Sequence, residues 1–138
     1  MKKILKLTLL SFLVIIGVFI LTGCGNKDDS KAIFEVKQVS NKSINVKLEN
    51  AKKGDEKEAQ LVIAEGESIN IKTKMESFPG ITVYYFKKNS KHDKTAADFE
   101  YLNGEGESTT ENFPAGEYDV LFEITDANAT GNIEINIK

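Results

Sequence analysis

The chain has 138 residues, with 18 lysines and no arginine against 21 acidic residues, and it contains one cysteine, one histidine and no tryptophan. One cysteine excludes a disulfide framework, and one histidine with one cysteine excludes a zinc site of three or four nitrogen or sulfur ligands. The acidic balance and the lack of any guanidinium fork argue against a nucleic-acid partner, anionic lipid headgroups and phosphoryl transfer.

In chain order, "MKKILK" opens with three lysines (Lys2, Lys3, Lys6), and Leu7 to Leu21 then run without a charge. A positive n-region before an apolar h-region is the layout of an export signal. The run falls short of the roughly 20 apolar residues a permanent span needs. It ends in Leu21-Thr22-Gly23-Cys24, an aliphatic residue, two small residues and a cysteine. This motif resembles the lipobox of bacterial lipoprotein signal peptides, a resemblance that covers residues 1 to about 25. It implies cleavage between Gly23 and Cys24, removal of an N-terminal signal helix (residues 1–23), and a diacylglycerol thioether on Cys24. Small side chains at Thr22 and Gly23 let a peptidase reach that bond. Each buried methylene contributes about 0.8 kcal/mol, so two acyl chains on one residue anchor stably where one does not. A core role for Cys24 is a poor alternative, because Gly23, Gly25, Asn26, Lys27 and two aspartates surround it. The expected location is the outward face of the cell membrane.

Cleavage would leave 115 residues carrying 15 lysines against 21 acidic residues, a formal balance of −6. Residues 24–31 read as lipidated N-terminus and tether, since Gly25 to Lys31 offer no apolar side chain to bury. Fully extended, those residues reach at most roughly 25 Å from the bilayer. Residues 32–138 read as one domain.

From Ile33 onward the apolar period is two. In "INVKLEN", Ile44, Val46 and Leu48 fall on one face and Asn45, Lys47 and Glu49 on the other. "EYDVLFEIT" repeats this with Tyr118, Val120, Phe122 and Ile124 inward, and "NIEINIK" with Ile133, Ile135 and Ile137. Weaker candidates are residues 32–39, 59–64, 68–72, 81–87 and 98–102, for about eight strands in all. Glycine, proline and Asn-Gly signals fall between these runs, including Gly106, Gly116 and Gly131. A short helix is possible only around Lys94 to Asp98, and "AKKGDEKEAQ" reads as a loop. The expected fold class is all-β, a single antiparallel β-sandwich of jelly-roll or Ig-like type.

The succession "LVIAEGESINIKTK", "GITVYYFKK", "FPAGEYDVLFEI" and "GNIEINIK", over about residues 60 to 138, resembles bacterial pre-peptidase C-terminal-type and related jelly-roll modules. There, Ala115 to Tyr118 would be the turn into a core strand. Gly80-Ile81-Thr82-Val83 departs from that family's acidic residue and leucine before its middle strand, so no metal site is carried over. The resemblance implies a non-catalytic accessory module that binds carbohydrate, protein or cell wall.

Nucleophilic machinery is sparse. His92 sits in "KNSKHDK" with Ser90 and Asp93 as neighbours, which reads as an exposed loop histidine and not a triad member. "DANATGNIEINI" begins like a calcium loop with Asp126, Asn128, Thr130 and Gly131, but Ile137 stands where a bidentate glutamate belongs, so a hairpin turn is expected. Glu105 and Glu107, like Glu65 and Glu67, read as turn residues that stay ionised, not as a glycosidase pair. No enzyme activity, metal or cofactor is expected.

"VYYFK" puts Tyr84 and Phe86 on one face and Val83 and Tyr85 on the other, so an aromatic faces outward unless both sheet faces are covered. Tyr84 and Tyr85 are therefore the candidate contacts for a carbohydrate or protein ligand. The expected function is a membrane-anchored lipoprotein presenting a binding or accessory module. The alternative is a protein-interaction or immunity-type subunit associated with a membrane transporter or complex.

Overall fold

The computed structural model describes residues 31–76, 80–126 and 128–138. The signal segment, the Gly23–Cys24 bond and all of the tether except Lys31 lie outside the described residues. Nine strands follow in order: β1 (Ile33–Ser40), β2 (Ser43–Ala51), β3 (Glu56–Ile63), β4 (Ile69–Glu76), β5 (Ile81–Lys87), β6 (Asp98–Leu102), β7 (Glu105–Thr110), β8 (Gly116–Ile124) and β9 (Ala129–Ile137).

They form a five-stranded sheet of order β1-β2-β9-β4-β7 and a four-stranded sheet of order β3-β8-β5-β6. Every neighbouring pair is antiparallel. β2, β9, β4 and β7 against β3, β8, β5 and β6 is the order of an eight-stranded jelly roll, with β1 added at one edge. The domain is an all-β sandwich.

Period-two alternation explains why two sheets are needed, since each strand hides one face and needs another sheet to hide it against. Ile44, Val46 and Leu48 of β2 and Ile133 and Ile135 of β9 line the core from one side. Leu61, Ile63, Ile81, Val83, Val120, Phe122 and Ile124 line it from the other. Burying each such side chain contributes about 1.5–3 kcal/mol.

Both sides of the sandwich are closed by polar contacts. On one, the Gln38 side chain imitates a peptide group: its Oε1 accepts from Gln60 N at 2.8 Å and its Nε2 donates to Gln60 O at 2.6 Å. On the other, Thr110 donates to Glu100 Oε1 at 2.8 Å and Met75 N donates to Gly104 O at 2.8 Å.

Several expectations are corrected. The stretch read as a loop becomes strand at Glu56, because Glu56 to Glu58 continue the pairing with β8 opposite Glu123 to Leu121. Glu105 and Glu107 lie on β7, not in turns. That strand has no apolar residue, since it is an edge held by its backbone pairing with β4, and so its sequence carries no periodic signal. Gly106 falls inside β7, Gly116 opens β8, and Gly131 lies inside β9. β8 and β9 form no hairpin, because they belong to different sheets. Residues 94–97 form turns and a bend, not a helix.

Candidate functional site

The two sheets differ on their outer faces. That of the five-stranded sheet is a polar ladder in which Glu35 stands opposite Lys47, and Lys72 stands between Glu134 and Glu107. That of the four-stranded sheet carries aromatics. Its register places Tyr84 between Leu121 and Phe99, Thr82 between Glu123 and Tyr101, and Phe86 opposite Asp119.

Of the two tyrosines expected as contacts, only Tyr84 reaches this face. Tyr85 is 4% exposed and packs edge-on against Phe113 at 5.3 Å. Its hydroxyl donates to Glu100 Oε2 at 3.5 Å, and burial, with Glu100 beside it, pushes the phenol well above the usual tyrosine range. The reason is the pleat: Val83 and Tyr85 share the inward face, so Tyr85 belongs to the core.

The connection between β5 and β6 folds back over the outer face as a strap. The His92 ring stacks on Phe86 at 4.5 Å and 14°. Its Nδ1 is 3.4 Å from Glu58 Oε1 and its Nε2 3.1 Å from Asp119 Oδ2. The His92 stack explains why Phe86 is only 3% exposed although it points outward. Lys94 reaches Glu123 Oε2 at 2.8 Å, also bonds Glu56, and holds its Nζ 5.4 Å from the centre of the Tyr84 ring. Hydrogen bonds to Glu123 and Glu56 push the Lys94 ammonium well above the usual lysine range. Burial, with Glu123 nearby, raises Tyr84. Asp93 turns the strap by accepting from Thr95 N at 2.9 Å and Thr95 Oγ1 at 2.6 Å.

Beyond the strap, Phe99 and Tyr101 stand on β6, 63% and 45% exposed. Tyr84 and Phe99 lie 6.0 Å apart, and Tyr84 and Phe86 are stacked at 6.2 Å. Tyr101 donates to Asp126 Oδ2 at 2.7 Å, and Gly80 N donates to the same oxygen at 3.2 Å. A Cβ on Gly80 would stand 2.5 Å from Tyr101 Cζ, so the glycine makes room for this ring. The hydrogen bond to Asp126 raises Tyr101, and the bond from Tyr101, with that from Gly80 N, lowers Asp126.

The other candidates do not converge on one site. Ser90 donates to Lys87 O at 2.5 Å, so the groups facing His92 are Glu58, Asp119 and Phe86, with no serine hydroxyl among them. Glu107 accepts from Asn70 at 2.8 Å, and Glu67 from Lys42 and from Ala64 N, contacts that lower both carboxyls. Thr130 Oγ1 accepts from Asn50 N at 2.9 Å while Asp126 faces Tyr101, so the calcium-like residues are spent on separate contacts. Among the described residues, no group of three or more His, Cys, Asp or Glu could hold a metal ion. Sequence reasoning passed over Phe99, Tyr101 and Lys94. Phe99 and Tyr101 did carry a signal, being aromatics two residues apart on the parity opposite Leu102 in a short strand.

No protein-family model and no curated protein sequence matches the chain. Among solved structures, a similar one is the periplasmic lysozyme inhibitor PliG of Aeromonas hydrophila. It has 12% identity and a TM-score of 0.46, over 82% of this chain and 93% of that one. Others are a family 86 xylan-binding module from Roseburia intestinalis, at 16% identity and TM-score 0.42 over 79% and 87% of the chains, and a family 4 carbohydrate-binding module, at 12% and 0.42 over 76% of each. At such identities the likeness is one of strand arrangement.

Proposed function

We propose that the chain is a lipid-anchored, outward-facing bacterial lipoprotein whose β-sandwich is a non-catalytic binding module. In this reading residues 1–23 are removed, Cys24 carries the diacylglycerol, residues 24–31 tether, and residues 32–138 bind. The contact surface is the outer face of the four-stranded sheet, at Tyr84, Phe99 and Tyr101. The observation that carries it is the exposure of two neighbouring aromatics, 63% and 45%, on a face where His92 covers Phe86 and Lys94 lies over the half-buried Tyr84. A partner that covers them gains apolar burial and ring contacts that solvent does not supply.

The binding test holds the detergent-solubilised protein over immobilised cell-wall polymer and over solubilised membrane protein, as wild type and as Phe99→Ala with Tyr101→Ala. Retention on one of the two supports that drops at least about tenfold in the variant is the expected result. Equal retention of both forms sinks the contact surface. The anchor is tested by intact mass of the membrane fraction. A chain beginning at Cys24 plus diacylglycerol is expected, with Cys24→Ala left unprocessed. An unlipidated wild type in the medium would overturn the anchor.

A further inference from the structure

We infer that the free edge of β6, with the exposed rings of Phe99 and Tyr101, is the docking surface for an extended lysine- or arginine-rich segment of a partner polypeptide. The inference rests on the binding-module reading and names the partner of that same surface.

Edge geometry is the first support. β6 ends its sheet and pairs only with β5, so its far side offers backbone donors and acceptors to an added strand. Phe99 and Tyr101 are two residues apart on one face, which matches the side-chain period of such a strand. Alternate side chains of the incoming segment meet the two rings, and the intervening ones meet Asp98.

Charge supplies the sign. From residue 95 to residue 137 the chain has ten acidic residues and no lysine, arginine or histidine. In this stretch Asp126 is hydrogen-bonded to the Tyr101 ring, and Asp98, opposite Tyr85, lies on the other face of β6. The same charges disfavour a second copy of this chain, because two β6 edges side by side would bring Asp98 and Glu100 of each against like charges.

The protein also displays the recognition chemistry internally. Lys94 lays its ammonium over the Tyr84 ring with Glu56 and Glu123 on its head group. Tyr101 and Asp126 present ring and carboxylate in the same combination, one strand further out, with the Phe99 ring beside them on that face of β6. A basic side chain can rest its stem on either ring and keep its charge near a carboxylate.

The test titrates full-length protein in nonionic detergent micelles with three synthetic peptides of equal length, alternating Lys-Ser, Arg-Ser and Glu-Ser, followed by calorimetry and by amide hydrogen exchange. The expected results are saturable binding of the two basic peptides only, weakening as salt rises, and added protection of β6 amides. Phe99→Ala with Tyr101→Ala, which changes no charge, should weaken binding about tenfold. Glu35→Gln with Glu134→Gln on the opposite sheet should alter it by less than about twofold. If the double alanine variant does not fold, Phe99→Leu and Tyr101→Phe replace it, and Phe99→Leu is expected to weaken binding. No saturable binding of a basic peptide overturns the inference, as does binding indifferent to loss of the rings, which is general attraction to an acidic protein. Retention on neutral cell-wall polymer that is lost with the rings, without basic-peptide binding, overturns this inference and leaves the binding-module reading standing. If the rings matter to neither polymer nor peptide, both fail.

Discussion

Gly131 lies inside β9, where a Cβ would stand 2.4 Å from the Lys74 carbonyl oxygen and 2.6 Å from Met75 Cα, at a φ of +148°. Only glycine meets both demands, so Gly131→Ala is expected to cost at least about 2 kcal/mol in denaturant unfolding. Tyr118 is buried and donates to Pro114 O at 2.7 Å, pinning the turn before β8. Tyr118→Phe should cost about 1–2 kcal/mol, measured the same way, because the carbonyl loses its partner. Asp126 binds Tyr101 and Gly80 N, and its carboxyl sits below the ordinary value of 3.8. A lowered folded value means that the stabilisation is complete above pH 3.8 and is lost as pH falls below it toward the folded value. Acid unfolding of Asp126→Asn should therefore show a shallower pH dependence below pH 4 than the wild type does.

The strap and the edge strand β7 are where sequence pattern and structure part company. In the strap, His92 reads as an exposed loop residue and Lys94 as the start of a possible short helix because their partners, Glu56, Glu58, Asp119 and Glu123, come from β3 and β8, far away in the chain. Lys94→Met keeps the stem over Tyr84 and removes the charge. It should raise amide exchange across residues 88–97 severalfold while changing global stability by about 1 kcal/mol or less, given the exposure of these pairs. Because Lys94 is raised above 10.5, its pairs contribute fully below that pH and are lost only as pH climbs through the higher folded value. Strap exchange corrected for intrinsic rate should accordingly stay flat from pH 7 to pH 10. β7 is an edge held by backbone pairing with β4 and by polar side-chain bonds, with no apolar burial, and its glutamates and glycine looked like a turn for that reason.

At the scale of the whole molecule, most strand pairings join segments distant in sequence. β9, the last strand, lies between β2 and β4 in the middle of its sheet. A chain stopped after Asn128 loses Ile133 and Ile135 from the core and leaves β2 and β4 without a common neighbour. It should show no cooperative unfolding transition by circular dichroism. The full domain, with its non-local topology, should refold in milliseconds to seconds by stopped-flow.

Alternation in the sequence was enough to establish the all-β class, the core faces of β2, β8 and β9, and the extent of β6, because burial of one sheet face writes a period of two into the chain. The lipobox is likewise a local signal that needs no fold to be read, and the lipid on Cys24 remains part of the proposal. What required the tertiary structure were features made by residues far apart. Tyr85 faces inward because of the pleat it shares with Val83, Phe86 is covered because His92 is brought back over it, and Phe99 and Tyr101 are exposed because β6 happens to be an edge. Nothing within a single strand records which strands will stand beside it, and on that neighbourhood depends whether an aromatic becomes core, lining or contact surface.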